Sequence, residues 1–269
     1  MNPTEAAGER MGERVLGANV LAVVLGRAGS EGVRGKNTMP IAGKPCAAWT
    51  IEAALSAERV TDVVVSSDCP RLRELAHERG VRFVSRPAEL AGSAATVDAA
   101  ARHAAAAVDA CGRYEAVVVL YANVPVRPGW LIDRAVEELV RTGADSVQSY
   151  EPVGKHHPWW TARLDADSGS VEAWDGGELN HGVYRRQELP AAYVPSGGVI
   201  AVRRAALMLE LEGIDETTHG PHAFFGRDRR GVVHAAGEVV DIDEAIDAVV
   251  ADAVLRAKAC EGGVTGEAA

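Results

Sequence analysis

Apolar residues fall into two rhythms along this chain. Short unbroken apolar runs alternate with stretches in which apolar residues return every third or fourth position. Val20 to Leu25 is the first run and reads as a buried strand. After Pro45, the positions Ala47, Ile51, Ala54 and Leu55 follow helical spacing. Asp62 to Ser66 reads as a second strand that ends in Ser67-Asp68, and Arg71 to Arg79 as a helix stopped by Gly80. Val81 to Val84 is a short strand. The segment Ala95 to Ala110 is rich in alanine, the best helix former. Glu115 to Leu120 is a further buried strand, and Ile132, Val136, Leu139 and Val140 mark a helix that ends at Gly143. Continuous apolar strands alternating with helices predict an α/β fold with a mostly parallel sheet and helices on both faces.

The rhythm changes between Ser146 and Tyr193. Polar and aromatic residues mix there with Gly, Pro and Asp turns, which predicts hairpins or an excursion from the main sheet. Trp159-Trp160, next to His156 and His157, concentrates large side chains where core periodicity is weak. After Gly197-Gly198 the main domain resumes, with strands at Val199 to Val202, Val232 to His234 and Glu238 to Ile242. A final helix follows, whose apolar face is expected at Ile242, Ile246, Val249, Val250 and Ala253. The expected organisation is a mobile tail over 1–18, one domain over 19–261 that includes the 146–193 excursion, and a disordered tail over 262–269.

Composition narrows the class. The 269 residues suffice for one large α/β domain, and a net charge of −10 argues against nucleic acid or an anionic membrane as the main partner. No run approaches the length of a membrane span. Glu5, Glu9 and Glu13 precede the first apolar run, which speaks against a signal-peptide core. Cys46, Cys69, Cys111 and Cys260 form no C-x-x-C pair; Cys46 and Cys111 read as buried free thiols, in a reducing cytoplasm.

Candidate chemistry begins directly after the first strand. Gly26 to Asn37 holds four glycines and three basic residues, so backbone N–H groups and positive charge meet at a strand end, as in phosphate-binding loops. The loop is not a P-loop, because Ser30 stands where its first glycine should be and Asn37 where Ser or Thr should bind magnesium. Glycine at every third position is not G-x-G-x-x-G either, which speaks against a nicotinamide dehydrogenase. Composition alone also allows a flexible solvated loop. Arg27 and Lys36 are the phosphate candidates, and Asn37 could bond phosphate or ribose. Far downstream, Asp241 and Asp243 share one face of the expected strand end, about 7 Å apart for a rise of roughly 3.3 Å per residue. Two such carboxylates suit Mg²⁺; they equally suit an N-cap, with Glu244 in the first turn. The histidines show no zinc spacing, and Ser196-Gly197-Gly198 lacks the G-x-S-x-G elbow.

Arg27-Ala28-Gly29-Ser30-Glu31-Gly32-Val33-Arg34-Gly35-Lys36-Asn37, with Pro40-Ile41-Ala42-Gly43-Lys44-Pro45 and Trp49-Thr50-Ile51, resembles the opening of the acylneuraminate cytidylyltransferases. The resemblance continues through Ser66-Ser67-Asp68, Arg86-Pro87-Ala88-Glu89-Leu90-Ala91, Pro125-Val126-Arg127, His156-His157-Pro158, Arg186-Gln187-Glu188-Leu189-Pro190 and Asp241-Ile242-Asp243. It implies a Rossmann-like nucleotide-diphospho-sugar transferase fold and CMP transfer from CTP to an acidic 2-keto sugar, assisted by Mg²⁺. It also implies a homodimer in which the excursion completes the partner's site. By this resemblance Arg27, Lys36 and Asp243 carry catalysis, while Ala28, Gly29, Ser30, Asn37, Arg86, Thr96 and Tyr121 join Arg27 and Lys36 around the nucleotide. Asp241 and Asp243 hold the metal, and Asn123, Arg127, Arg186, Gln187 and Ser196 face the acceptor. Thr96 would equally serve as a plain N-cap, and Lys44 as a solvated turn charge.

Departures from the family pattern fall mainly on the acceptor side. Glu31 replaces a loop lysine, and Tyr121 a glutamine near the cytosine. Val194 and Ser196 replace the arginine and asparagine that face the sugar acid, and Ile200 replaces an aromatic residue. These changes leave two further readings: transfer to another sugar or from another nucleotide, and a non-catalytic nucleotide-binding homologue.

Overall fold

A computed structural model describes residues 18–29 and 32–263 of the chain. Seven strands form one sheet in the order β11-β7-β10-β6-β1-β4-β5. Their ranges are β1 Val20–Leu25, β4 Asp62–Ser67, β5 Arg82–Ser85, β6 Ala116–Tyr121, β7 Ser146–Pro152, β10 Tyr193–Arg203 and β11 Arg229–Val233; a small hairpin pairs β2 Pro40–Ile41 with β3 Lys44–Pro45. β1 runs parallel to β4 and β6, and β5 parallel to β4. β10 is antiparallel to both of its neighbours. The sheet is therefore mixed and mostly parallel, as expected from the sequence.

Period-two alternation explains how a fully apolar strand serves both faces. Val20, Ala22 and Val24 pack against helices α1 (Cys46–Ser56), α2 (Pro70–Glu78) and α4 (Leu131–Thr142). Leu21, Val23 and Leu25 pack the other way, against α3 (Val97–Val108), the short α5 (Arg204–Leu207) and the Phe224-Phe225 turn. All six residues of β1 are buried, so a polar substitution at any of them would bury an unpaired group.

Several expectations need correction. Ser146–Pro152 is not part of the excursion but a strand of the main sheet, between β11 and β10. Its sequence reads as polar because Gln148 and Tyr150 lie on a half-covered face while Ser149 is buried in a hydrogen-bonded pocket. The excursion proper lies between Val153 and Ala192 and carries one small hairpin, β8 Ala162–Leu164 with β9 Val171–Ala173. Glu238–Ile242 is not a strand: one bridge, Val126 to Val240, holds it.

After a short helix α6 (Glu216–His219), the last described helix, α7 (Ala245–Gly263), turns its other face inward. Ile246, Val249 and Val250 are exposed, whereas Ala248, Ala251 and Leu255 are buried against Ile41, Val126 and Ile242. Both stripes have helical spacing; the alanine stripe allows the closer approach, and Asp252 fixes it by accepting the Ala42 N–H at 2.6 Å. Leu55 and Cys111, expected inside, are exposed. The expected tail over 1–18 lies outside the described residues except for Ala18; that over 262–269 lies outside except for Gly262 and Gly263, which end α7.

Candidate active site

The strand order reverses between β1 and β6: the chain leaves β1 for β4 on one side and later adds β6 on the other. A crevice opens beyond the C-terminal ends of such strands, where open α/β sheets place their ligands. A cleft of ≈ 240 Å³ occupies that position, and its walls include Arg27, Lys36, Asn37, Arg86, Thr96, Tyr121 and Asn123. Seven residues singled out from the sequence, spread over almost a hundred positions, thus meet in one cavity.

Local bonds explain the loop's shape. Asn37 is buried, its Nδ2 donates to the Arg27 carbonyl at 2.9 Å, and its own carbonyl accepts the Ala47 N–H at 2.9 Å. Asn37 therefore ties the loop closed rather than offering a free amide. Ala28 N–H donates to Asp68 Oδ1 at 2.8 Å, which anchors the opposite rim. Gly29 is exposed beside it and does not line the cleft. Ser30 and Glu31 lie outside the described residues.

The cleft is electropositive. Arg86 is buried, and its Nη2 donates to the Ser66 carbonyl at 2.7 Å. Burial pushes the Arg86 guanidinium below its ordinary value and Arg27 adds to that depression, although Asp68 opposes it. Two cations that destabilise each other across a cavity are a receptor for an anion. Thr96 caps α3 by accepting the Ala99 N–H at 3.4 Å and also lines the cleft, so both readings of this residue hold. Lys44 does not reach the cleft: its Nζ pairs with Glu52 at 2.6 Å and lies over the Trp49 ring.

Asp243 reaches the loop from the far end of the chain. Its Oδ1 is 2.5 Å from Lys36 Nζ, a contact between residues 207 apart in sequence. Ile242 is fully buried and exchanges two bonds with Asn123: its N–H donates to the Asn123 carbonyl at 2.8 Å, and Asn123 Nδ2 donates to its carbonyl at 3.2 Å. That anchor turns Asp241 and Asp243 outward together, so the alternation survives without a strand. The side chain that closes the start of α7 is instead Asp247, which reaches back from the first turn to accept the N–H groups of Asp243 and Glu244, just ahead of the helix, at 3.0 and 2.7 Å.

The Asp241 carboxyl is held above its ordinary range by partial burial first and by the Asp243 charge next, with Asp247 contributing. Such a pair gains from an added cation. Among the described residues no group of three or more His, Cys, Asp or Glu side chains could hold a metal ion. A divalent ion here would have two carboxylates and would draw its other ligands from phosphate and water, the usual manner of Mg²⁺.

The expected acceptor residues divide. Arg127 is buried and does not line the cleft; it donates Nε to the Gly198 carbonyl at 3.1 Å, while its buried Nη1 and Nη2 have no partner among the described residues. Burial pushes its guanidinium down to about 10. The neighbouring Cys46 thiol is pushed up to about 12, chiefly by burial. Ser196 lies in a bulge of β10 and touches His234, a residue the sequence did not single out because no motif spacing connects the two. Arg186 and Gln187 are exposed on the excursion, away from the cleft.

Comparison with known proteins bears on these features. Residues 21–164 match the family model described as Cytidylyltransferase. The chain is 30% identical over 195 residues to an N-acylneuraminate cytidylyltransferase from Streptococcus agalactiae serotype III (strain NEM316), covering 71% of this chain and 45% of the relative. It is 27% identical over 243 residues to the enzyme of that name from Escherichia coli O18:K1:H7, covering 89% and 52%. A CMP-N,N'-diacetyllegionaminic acid synthase from Legionella pneumophila is 32% identical over 158 residues, covering 57% of this chain and 66% of that protein. The chain thus spans about half the length of the first two curated relatives. In fold it is similar to a CMP:2-keto-3-deoxy-manno-octonic acid synthetase complexed with CTP, with a TM-score of 0.63, 16% identity and coverage of 90% of this chain and all of that one.

Proposed function

Because this chain belongs to the cytidylyltransferase family, we propose that it transfers CMP from CTP to the anomeric hydroxyl of an acidic 2-keto sugar. The hydroxyl oxygen forms a bond to the α-phosphorus, the bond from that phosphorus to the bridging oxygen breaks, and pyrophosphate leaves; the hydroxyl proton passes to a base. One observation carries the reading: Arg27, Lys36 and Arg86 line a single cleft at the sheet's switch point, with Asp243 bonded to Lys36.

In that cleft the loop's role is positioning and charge neutralisation. Arg27 and Lys36 hold the triphosphate and stabilise the charge that gathers on departing pyrophosphate. Lys36 is ion-paired to Asp243, so substrate phosphates compete with that carboxylate for the ammonium. Once released, Asp243 can accept the acceptor's proton. Asp241 and Asp243 fit a bound Mg²⁺, which would supply Lewis-acid polarisation of the phosphates. Tyr121, whose ring forms part of the cleft wall, takes the base-facing place. Arg127 is the acceptor's carboxylate anchor, since its unpartnered, donor-only nitrogens suit a bidentate carboxylate. A homodimer is part of the proposal; the excursion exposes Leu164, Trp174, Leu179 and Tyr184, an apolar surface suited to burial against a second copy.

Pyrophosphate release tests the reading. The protein is incubated with each nucleoside triphosphate, Mg²⁺ and a panel of 2-keto sugar acids. Release with CTP and at least one sugar acid is expected. Release with another triphosphate only would shift the assignment to the corresponding nucleotide, and no release with any pair would refute transfer.

A further inference from the structure

One helix holds both lips of the cleft. The first turn of α1 takes the glycine-rich loop: Ala47 N–H donates to the Asn37 carbonyl at 2.9 Å, and Cys46 N–H to the Met39 carbonyl at 2.9 Å. One turn further on, Thr50 takes the opposite lip, the turn by which the chain leaves β6. Its Oγ1 donates to the Val124 carbonyl at 2.9 Å and to the Tyr121 carbonyl at 3.1 Å.

Thr50 is fully buried, and it is the only hydroxyl on the buried face of α1. Threonine forms helix less readily than alanine, and a buried hydroxyl is costly unless it is bonded. A helical threonine can meet that need within its own helix, as Thr142 does by donating to the Glu138 carbonyl at 2.7 Å. Thr50 sends its proton across to another segment instead. Carbonyls only accept, so a single proton shared between two of them makes a three-centre bond. The Tyr121 carbonyl also accepts the Val124 N–H at 3.2 Å, which closes the turn on itself. Thr50 is not needed for that closure; it fixes where the closed turn stands relative to α1.

The turn carries side chains of the site. Tyr121 and Asn123 both line the cleft. Asn123 exchanges two bonds with Ile242, the residue between Asp241 and Asp243. α1 therefore meets Lys36 by one route, through Asn37, and the aspartates by another, through Thr50, the turn and Asn123. The two routes close on each other where Lys36 bonds Asp243.

We infer that Thr50 is a positioning residue for the transfer step: by clamping the exit turn of β6 to α1, it sets Tyr121, Asn123 and the paired aspartates in register with Lys36. The inference rests on the CMP-transfer reading. Thr50 touches neither nucleotide nor sugar; it acts through the backbone of the turn. Arg27 and Lys36 keep their own anchors when its hydroxyl is lost, so the ground-state grip on the triphosphate should persist while the alignment needed for reaction suffers.

The test uses the full chain, CTP and the sugar acid that the unaltered protein turns over best, well below the melting temperature of every variant. Thr50→Val keeps the shape and removes the donor. It is expected to lower kcat roughly tenfold, with the KM for CTP changed far less. Thr50→Ser restores the hydroxyl and is expected to recover most of the rate. In an Asn123→Ala background, Thr50→Val should cost much less than in the parent, because the route to the aspartates is already broken. Thr50→Ala carries the same expectations where the valine variant does not fold. A purely structural threonine would lower the melting temperature and leave kcat of the folded protein intact, and that result overturns the inference. A loss that serine does not recover overturns it too, as does full additivity with Asn123→Ala. Turnover by the unaltered protein separates the two ideas: its absence removes the transfer reading and this inference together, whereas turnover that Thr50→Val leaves unchanged removes the inference alone.

Discussion

Replacing Arg127 by methionine sets stability against function, and the structure supplies the magnitude. The guanidinium is buried with two nitrogens unpartnered among the described residues, and burial pushes it from 12.5 to about 10. At 1.36 kcal/mol per pH unit, that displacement is equivalent to roughly 3 kcal/mol of unfavourable burial. Methionine keeps the length of the side chain and removes the charge; it also forfeits the bond from Nε to the Gly198 carbonyl, worth about 1 kcal/mol. The net expectation is a ligand-free Arg127→Met protein more stable by about 2 kcal/mol, in line with other exchanges of buried charge for apolar groups. Urea unfolding followed by tryptophan fluorescence would show a higher midpoint with an unchanged slope. The same variant should raise the KM for the sugar acid by about 10- to 100-fold, as expected for a lost charge-assisted bond. A lower midpoint would refute the account, because it would mean the guanidinium stabilises the fold through contacts of its own. A higher midpoint with an unaltered sugar KM would refute the carboxylate anchor alone.

Two further expectations concern the loop and the paired aspartates. A Cβ on Gly32 would lie 2.4 Å from the Asp243 carbonyl oxygen; Gly32→Ala should therefore push the loop off the Asp243 segment and lower kcat by about tenfold or more, with the melting temperature little changed, and full activity would show the Lys36–Asp243 register to be unimportant. Asp241→Asn should raise the melting temperature of the metal-free protein at neutral pH and cost about 100-fold or more in Mg²⁺-dependent turnover. The sign follows from a folded-state pKa held above 3.8: stability is retained below the unfolded value and lost as pH rises through the folded one, so the variant's advantage should vanish in acid, and an advantage that grows in acid would contradict this cause.

Much of the fold is legible because β1 and β6 are buried almost throughout and continuously apolar, and β4 shares that pattern at Val63 to Val65. α7 was misread for a reason of the same kind. Its exposed stripe holds Ile246, Val249 and Val250, while alanines fill the inner one, so hydrophobicity alone favours the wrong face. β7 was assigned to the excursion because Ser149 satisfies a backbone N–H in the core, and a serine in that role looks like loop chemistry. In the candidate site, Arg27, Lys36, Arg86 and Tyr121 were legible from the strand ends they follow. His234 was not, since its link to Ser196 spans 38 residues and depends on a bulge that no spacing rule encodes.

The bond between Lys36 and Asp243 also orders events during synthesis. β1, β4 and β6 can assemble once about the first half of the chain has emerged, and the glycine-rich loop with them. The bonds of Asn123 to Ile242, of Val126 to Val240, and of Ala42 to Asp252 must all wait for residues 240–252. Domains grow from the N-terminus on the ribosome, so a nascent chain has its cationic loop long before it has the carboxylates that answer it. A chain truncated ahead of Asp241 would keep much of the cationic cleft wall while lacking both aspartates. On the proposed reading, reactive competence waits for the segment that carries Asp241 and Asp243, long after the sheet that holds the loop.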